Sequence, residues 1–546
     1  MAADNGEAIA MASTRLQHPL LGAIQGTHVH ERLIQFRSLP YGHIGQRFAR
    51  SQRLDHLPGP KPYDATNVGP QSIQALGSAH VDAKSNQLPQ DVEEQDQSED
   101  CLRATITRPE DHDVSTKLPV LVFLHGGAFA LGSGERRYYN PLTLCAHAIE
   151  IGTPLLFVSL NYRLGALGFF HASEAPDLIP ANNGLHDQLT GFDWIHRNIA
   201  GFGGDPNNIT AIGQSAGGES VSLHNLSGRK TPLYKRSIAF AGTPLTMPDK
   251  NPREHQENFM NQAKKLDIDI ENRSSEDIAK DMISCDVYKI RDLGYVGQPC
   301  VDSEIIPQKD HATQRAISEG RVSQVPWLES QIISSAGYDG SISNIMTRQD
   351  GKRKDHAKGF IAIAREVLQY PDDLLQVYNI SEDMPDEEAL ETICQFESDI
   401  GFFAAALSVV EGTSDKTKTF FQLFDLGNPF EGFLEPGKFA THTWDIVAFL
   451  GAYEDRLSED YRRKIREWRK RYIGYIVDGT DPWTSMENRN GKMLVLDNNN
   501  GTREKALDEV LSDRRAALLD LARREGPDGR DLLWESVCRR WLMKGH

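Results

Sequence analysis

Short apolar runs rich in branched and aromatic side chains recur along the chain. The first half holds Pro119-Val-Leu-Val-Phe-Leu124, Leu155-Leu-Phe-Val-Ser-Leu160, Ile209-Thr-Ala-Ile212 and Ser237-Ile-Ala-Phe240. Gln331-Ile-Ile-Ser334, Thr419-Phe-Phe-Gln-Leu-Phe424 and Met493-Leu-Val-Leu496 follow. Runs of this length without polar alternation predict strands covered on both faces, as in a parallel sheet. Stretches 184–198 and 219–226 read as helices between them. Strand and helix in alternation predict an α/β sheet with right-handed crossovers. The interval 245–330 breaks the pattern. It is polar, charged and helix-prone over 253–266 and 276–284, and reads as a helical excursion capping the sheet. Residues 78–97, ending in Asp91-Val-Glu-Glu-Gln-Asp-Gln97, lack large apolar anchors and read as a solvated, mobile loop. Lys505–Met543 alternates charge with Leu, as an amphipathic helix on the outside would.

Composition bounds the function. The 546 residues include 59 Lys and Arg against 77 Asp and Glu, a net charge of −18. That balance disfavours nucleic acid, which selects basic surfaces, and equally an anionic membrane. Length alone, at roughly 150 residues per domain, suggests three or four domains, and no disulfide or metal is needed merely to build a core. The N-terminal Met1–Ala8 has no basic segment leading into an apolar run, and nowhere do ~20 apolar residues run together, so neither a secretory leader nor an integral membrane segment is expected. The cysteines at 101, 145, 285, 300, 394 and 538 form no CxxC pair, and free buried thiols in a cytoplasmic protein are the expectation.

The strongest chemical signal is Gly213-Gln214-Ser215-Ala216-Gly217, placed between the run 209–212 and a helical stretch. A G-x-S-x-G turn from strand to helix lifts its serine above the sheet, and glycines flank it where side chains would strike neighbouring backbone. Ser215 then sits at a helix N-terminus, where free N–H groups favour a developing anion. Upstream, the run 119–124 leads into His125-Gly126-Gly127-Ala128-Phe129 and Gly132-Ser133-Gly134. A Gly-rich turn after an early strand is where such hydrolases place the other half of an oxyanion hole.

With these motifs the chain resembles the type-B carboxylesterases, which include cholinesterases, fungal lipases and liver carboxylesterases. The resemblance runs through Phe36-Arg-Ser-Leu-Pro-Tyr41, Arg47-Phe48, Ser98-Glu-Asp-Cys-Leu102, Asn161-Tyr-Arg-Leu-Gly165 and Gly184-Leu-His-Asp-Gln188. It is densest in Trp194-Ile-His-Arg-Asn-Ile199 and Phe202-Gly-Gly-Asp-Pro206. It implies one α/β-hydrolase unit over 1–546: a large, mostly parallel central sheet flanked by helices, with a helical cap. It also implies a serine carboxylesterase acting on small-molecule esters through an acyl-enzyme, with no cofactor or metal. Ser215 resembles the nucleophile, His442 in Ala440-Thr-His-Thr-Trp-Asp445 the base, and Asp339 in Tyr338-Asp-Gly340 the acid, where the family usually has Glu. The oxyanion donors fall on the N–H groups of Gly127, Ala128 and Ala216. Glu99 and Arg163 look like a buried family ion pair.

Departures from the family narrow the expectation. Gly69-Pro-Gln-Ser72-Ile-Gln74 has Ser72 where the family usually has a cysteine, so Cys101 loses its expected disulfide partner, and the loop between them reads as a flap governing access. That loop contains no Trp, and Gln214 stands where cholinesterases have Glu, so neutral small-molecule or lipid-like esters are favoured over choline esters. A lactonase, a carbamate or amide hydrolase, or an acyltransferase would use the same residues. A non-catalytic adhesion homologue would have replaced them. Hormone-sensitive-lipase-like hydrolases keep acid and base close together, whereas here they lie 442 − 339 = 103 positions apart.

Overall fold

The computed structural model describes residues 13–543 apart from 248, 307–312, 323, 415 and 487–490, and builds one thirteen-stranded sheet. Residues 1–12, on which the expectation of no secretory leader falls, and the last three residues lie outside the described residues. The strands are β1 (Ser13–His18), β2 (Gly22–His30), β3 (Leu33–Pro40), β4 (Arg103–Pro109), β5 (Leu118–Leu124), β6 (Leu156–Leu160), β7 (Gly204–Gln214), β8 (Arg236–Phe240), β9 (Ser330–Ala336), β10 (Lys418–Asp425), β11 (Lys492–Asp497) and β12 (Gly501–Ala506). A two-residue strand, Tyr63–Asp64, pairs with β2. The order is β1-β2-β3-β4-β6-β5-β7-β8-β9-β10-β11-β12.

The seven apolar runs are β5 to β11, and every neighbouring pair among them is parallel. Their side chains alternate between two cores, as a period of two requires. Leu121 and Phe123 face Phe449, Trp468 and Tyr472 on one side, while Val120, Val122 and Leu124 face Phe192, Trp194 and Ile195 on the other. Each such side chain, fully buried, contributes about 1.5–3 kcal/mol. The flanking strands β1 to β4 and β12 are antiparallel. They escaped the sequence reading because β1, for example, alternates exposed and half-buried positions and carries no apolar run.

The excursion holds helices at Pro252–Lys265, Ser275–Ser284, Val287–Arg291 and Gln314–Ser318, and among its described residues no strand before Ser330, where β9 begins. Its first helix is opened by a capping box, in which Asn251 Oδ1 accepts from Glu254 N–H and the Glu254 carboxylate accepts from Asn251 N–H, each at 3.0 Å. Phe259, Ile278 and Met282 pack there with Phe48 and Phe170.

Three expectations are corrected. Residues 78–97 are not a plain solvated loop. A helix spans Ser78–Ser85, and Ala79, Ala83, Leu88 and Val92 are buried in the main core. Gln87 Nε2 donates to the carbonyls of Phe430 and Leu434. Four apolar anchors scattered through a polar stretch, and one side-chain amide bonded to distant backbone, leave little trace in composition. The region 505–543 is not one outer helix either. Leu518, Leu521, Leu533, Trp534, Val537 and Trp541 are buried against Phe360 and Phe396. Finally, Glu99 does not pair with Arg163. Arg163 forms a two-pronged bond to Asp187, both contacts 2.7 Å and both side chains buried, while Glu99 takes Arg47 in the same way at 2.7 Å. A buried guanidinium is matched by the fully buried carboxylate, and half-exposed Glu99 is left for the more accessible partner.

One helical stretch, Asp386–Gly412, is long and apolar enough to cross a membrane, yet 94% of its most apolar window is buried inside the fold. At Ser398–Phe403 it widens into a π-helical turn, a feature that often marks a functional site. Cys101 is buried and free, hydrogen-bonded to Ser72, and burial pushes its thiol up to about 12.

Candidate active site

Ser215 closes β7 and opens the helix Ala216–Asn225. Its backbone is strained, with φ 56° and ψ −127°, at a cost on the order of 1–3 kcal/mol. Two hydrogen bonds hold it: its N–H donates to Phe240 carbonyl at 2.9 Å, and its carbonyl accepts from Glu219 N–H at 2.8 Å. A Cβ at 213 would stand 2.1 Å from the Gly217 carbonyl, and one at 217 would stand 2.0 Å from that of Leu124. Both glycines are therefore fixed by contact.

The turn after β5 is equally unusual. Gly127, Ala128 and Phe129 all have positive φ, at 110°, 52° and 54°. Their strain is held from beneath. Tyr162 Oη donates to the His125 carbonyl at 2.6 Å and its ring stacks on that of His125, centroids 4.5 Å apart. Burial pushes His125 down to about 4, so it stays neutral. Among the described residues, the N–H groups of Gly127, Ala128 and Ala216 have no backbone acceptor. Free N–H groups at one turn and one helix N-terminus can stabilise an oxyanion.

Asp339 and His442 come from loops zipped together. Tyr338 and Thr441 form a parallel bridge, Tyr338 N–H donates to the Ala440 carbonyl at 3.0 Å, and His442 N–H donates to Ser341 Oγ at 2.8 Å. The seam brings His442 Nδ1 to 2.8 Å from Asp339 Oδ1, while Asp339 Oδ2 accepts from Ala336 N–H at 2.7 Å. With Nδ1–H given to Asp339, Nε2 carries the lone pair. That nitrogen lies 3.2 Å from Gln214 Nε2, and no hydrogen bond joins Ser215 Oγ to His442 among the described residues. The π-helical turn closes the other side: Ser398 Oγ accepts from Gly340 N–H at 2.9 Å, and the Phe402 ring lies 5.4 Å from that of His442.

Sequence reasoning missed three buried carboxyls around these residues. Glu219, one helical turn from Ser215, accepts from Met247 N–H at 3.0 Å, and burial raises it well above the carboxylate range. Asp445 is pushed up to about 7 by burial and then by the charge of Asp339. Glu397 is pushed up to about 8 by burial, with Asp339 adding to it and Ser343 Oγ donating to it at 2.7 Å. Their residue types alone carry no signal, because burial decides their charge.

Glu397 gives a pH prediction. Its folded value of about 8 lies above the ordinary 4.5, so the native state keeps a proton that the unfolded chain releases. The stabilisation is complete below about 4.5 and is lost as pH rises towards about 8, on the order of a few kcal/mol. Glu397→Gln is expected to flatten this slope, so that its Tm rises relative to the parent between pH 5 and pH 8.5, as calorimetry would read. A Tm difference independent of pH would contradict it.

Among the described residues, His186, Asp302 and Glu304 also gather donor atoms within 4.8 Å. That group is already an imidazole–carboxylate contact of 3.1 Å, with the Arg50 guanidinium 3.9 Å from the same Glu304 oxygen, where a metal cation would be opposed.

Comparison with known proteins agrees with the fold. The Carboxylesterase family matches residues 12–505. Para-nitrobenzyl esterase of Bacillus subtilis (strain 168) is 33% identical over 240 residues, 42% of this chain and 46% of that protein. "Inactive carboxylesterase-like protein VdtD" of Byssochlamys spectabilis is 36% identical over 162 residues, 30% of this chain and 28% of that one. The chain thus spans less than half the length of these curated relatives. The crystal structure of the Geobacillus stearothermophilus carboxylesterase EST55 shares the fold, with a TM-score of 0.71 at 19% identity, covering 92% of this chain and 99% of that one. With a sheet of this order and a family match over nearly its whole length, the chain belongs to the carboxylesterase family.

Proposed function

We propose that the protein is a serine carboxylic-ester hydrolase acting on neutral small-molecule or lipid-like esters. The observation that carries this reading is the 2.8 Å contact between His442 Nδ1 and Asp339 Oδ1, beside a serine held in a strained strand-to-helix turn. Ser215 Oγ attacks the ester carbonyl as His442 Nε2 takes its proton, and Asp339 keeps the imidazole in the reactive tautomer. The oxyanion is received by the N–H groups of Gly127, Ala128 and Ala216, each such donor worth about 3 kcal/mol. His442 returns its proton to the leaving alkoxide, then activates water to release the acyl group.

Neutral substrates are favoured by the surroundings. Phe402 faces His442, Phe129 and Ala216 share an apolar cluster, and burial pushes the nearby Glu219 carboxyl well above the ordinary carboxylate range. The test is a chain-length series of neutral p-nitrophenyl esters together with a fluorophosphonate label located by mass spectrometry. Hydrolysis with label on Ser215 is expected. Label on another residue would overturn the nucleophile, and neither label nor turnover would place the chain with its inactive relative.

A further inference from the structure

The nitrogen that has to accept the Ser215 proton is already engaged. Gln214 Nε2 lies 3.2 Å from His442 Nε2, and the other end of the same amide, Oε1, accepts from Thr443 Oγ1 at 3.3 Å. The single Thr443 hydroxyl proton is shared between this contact and a shorter one, 2.8 Å, to Asn86 Oδ1. Asn86 Nδ2 in turn donates to the backbone carbonyl and to Oδ1 of Asp82, both at 2.9 Å, and Tyr138 Oη donates to Asp82 Oδ2. A continuous chain of hydrogen bonds thus links the helix Ser78–Ser85 to His442. All of it is shielded: Asp82, Asn86, Gln214 and Thr443 are 7%, 3%, 1% and 2% exposed. Away from water, these bonds have no competitor and an unsatisfied member is costly.

Two further observations single out Thr443 and Gln214. Thr443 has φ 69°, a conformation that a β-branched residue adopts at a cost of about 1–3 kcal/mol. A hydroxyl has been kept where glycine would be relaxed. Gln214 faces Gly126, where an added Cβ would lie 2.6 Å from the Gln214 carbonyl and 3.1 Å from Oε1, so the missing side chain leaves the amide more space.

We propose that Gln214 is a positioning residue whose amide turns over with each proton transfer, and that Thr443, tied to Asn86, supports it in both orientations. This rests on the Ser215–His442 reading above. In the resting state Gln214 Nε2–H donates to the neutral imidazole and Oε1 accepts from Thr443. As the O–H bond of Ser215 breaks and the Nε2–H bond of His442 forms, the amide makes a half-turn. Oε1 then accepts from the imidazolium, and the amide N–H donates to Thr443 Oγ1. The electron pair of the broken O–H bond enters the new Oγ–carbon bond, and the proton later passes to the leaving alkoxide. A hydroxyl has one proton and two lone pairs: in the resting state that proton is shared between Asn86 Oδ1 and Gln214 Oε1, and after the half-turn Thr443 Oγ1 accepts from the amide N–H and donates to Asn86 alone. The titratable groups that face His442 are Asp339, Asp445 and Asp82, with Glu397 acting on Asp339.

Burst kinetics with p-nitrophenyl butyrate between pH 5 and pH 9 test it. Thr443→Val keeps the branched shape and removes the hydroxyl. It is expected to slow acylation about tenfold with KM within about twofold, and Thr443→Ser to recover most of that loss. Gln214→Glu cannot donate to the neutral ring and favours the cation, so the acid limb of kcat/KM is expected to move up by about one pH unit. Equal losses in Thr443→Val and Thr443→Ser, or parent rates in Thr443→Val, would overturn the relay. Should Thr443→Val fail to fold, the Gln214→Glu profile decides: an unmoved acid limb overturns the proposal. Loss of fluorophosphonate labelling at Ser215 in the parent protein would instead sink the underlying assignment.

Discussion

Ser215→Ala is expected to lower hydrolysis of p-nitrophenyl acetate and butyrate by about four to six orders of magnitude while the protein still folds. The size of the loss follows from the site's dependence on one oxygen. On the proposed mechanism, without Oγ no acyl-enzyme forms, His442 has no proton to take, and only the oxyanion donors and binding remain. The fold is spared because the strained turn is imposed by backbone bonds to Phe240 and Glu219 and by the contacts of Gly213 and Gly217, none of which involves the hydroxyl. Circular dichroism and a Tm within a few degrees of the parent would establish that. Retention of more than about one per cent of the parent rate would remove Ser215 from the mechanism.

Asp339→Asn is expected to cost about 10^3- to 10^4-fold in kcat with little change in KM. The acid has two oxygens with fixed duties: Oδ2 accepts from Ala336 N–H and Oδ1 from His442 Nδ1. An asparagine must keep its carbonyl towards the Ala336 N–H, because an amide there would set two donors against each other. Its NH2 group is thereby aimed at His442. The ring answers by presenting a bare Nδ1 and carrying its proton on Nε2, which leaves no lone pair for Ser215. Ground-state binding is expected to change little, since Asp339 is fully buried, and pre-steady-state acylation separates the two quantities. A parent-like kcat would mean that the orienting carboxylate lies elsewhere.

The parallel half of the sheet was legible because strands buried on both faces cannot afford polar alternation, and β5 to β11 carry that mark. β1 and β12 were not, since they are largely half-exposed, and β3 and β4, though mostly buried, have their apolar runs broken by Gln35, Arg37 and Ser38 and by Thr105, Thr107 and Arg108. The turn 213–217 announced itself because two of its positions admit only glycine. Asp339 and His442 were reachable only through resemblance: a lone Asp and one His of 18 have no local pattern. Arg163 was paired with the wrong acid because a sequence shows that a buried guanidinium needs a carboxylate but not which one lies across the fold. The hydrogen bonds of Gln214, Thr443 and Asn86 were hidden for the same reason. They join positions 228, 229 and 357 residues apart, and the strain at Thr443 exists only in three dimensions.

The order of strands sets a timetable for the nascent chain. The serine's strand pairs with β5 and β8, all made by residue 240, so its strained turn can be assembled early. The imidazole follows 442 − 215 = 227 residues later, after β10. At about 5–20 residues per second, that leaves a window of roughly ten to forty-five seconds in which the ribosome-bound polypeptide holds its nucleophile turn without a proton acceptor. On the proposed roles the chain emerges inert and becomes reactive only when its last parallel strands dock, so esters near the site of synthesis are not cleaved by an unfinished protein.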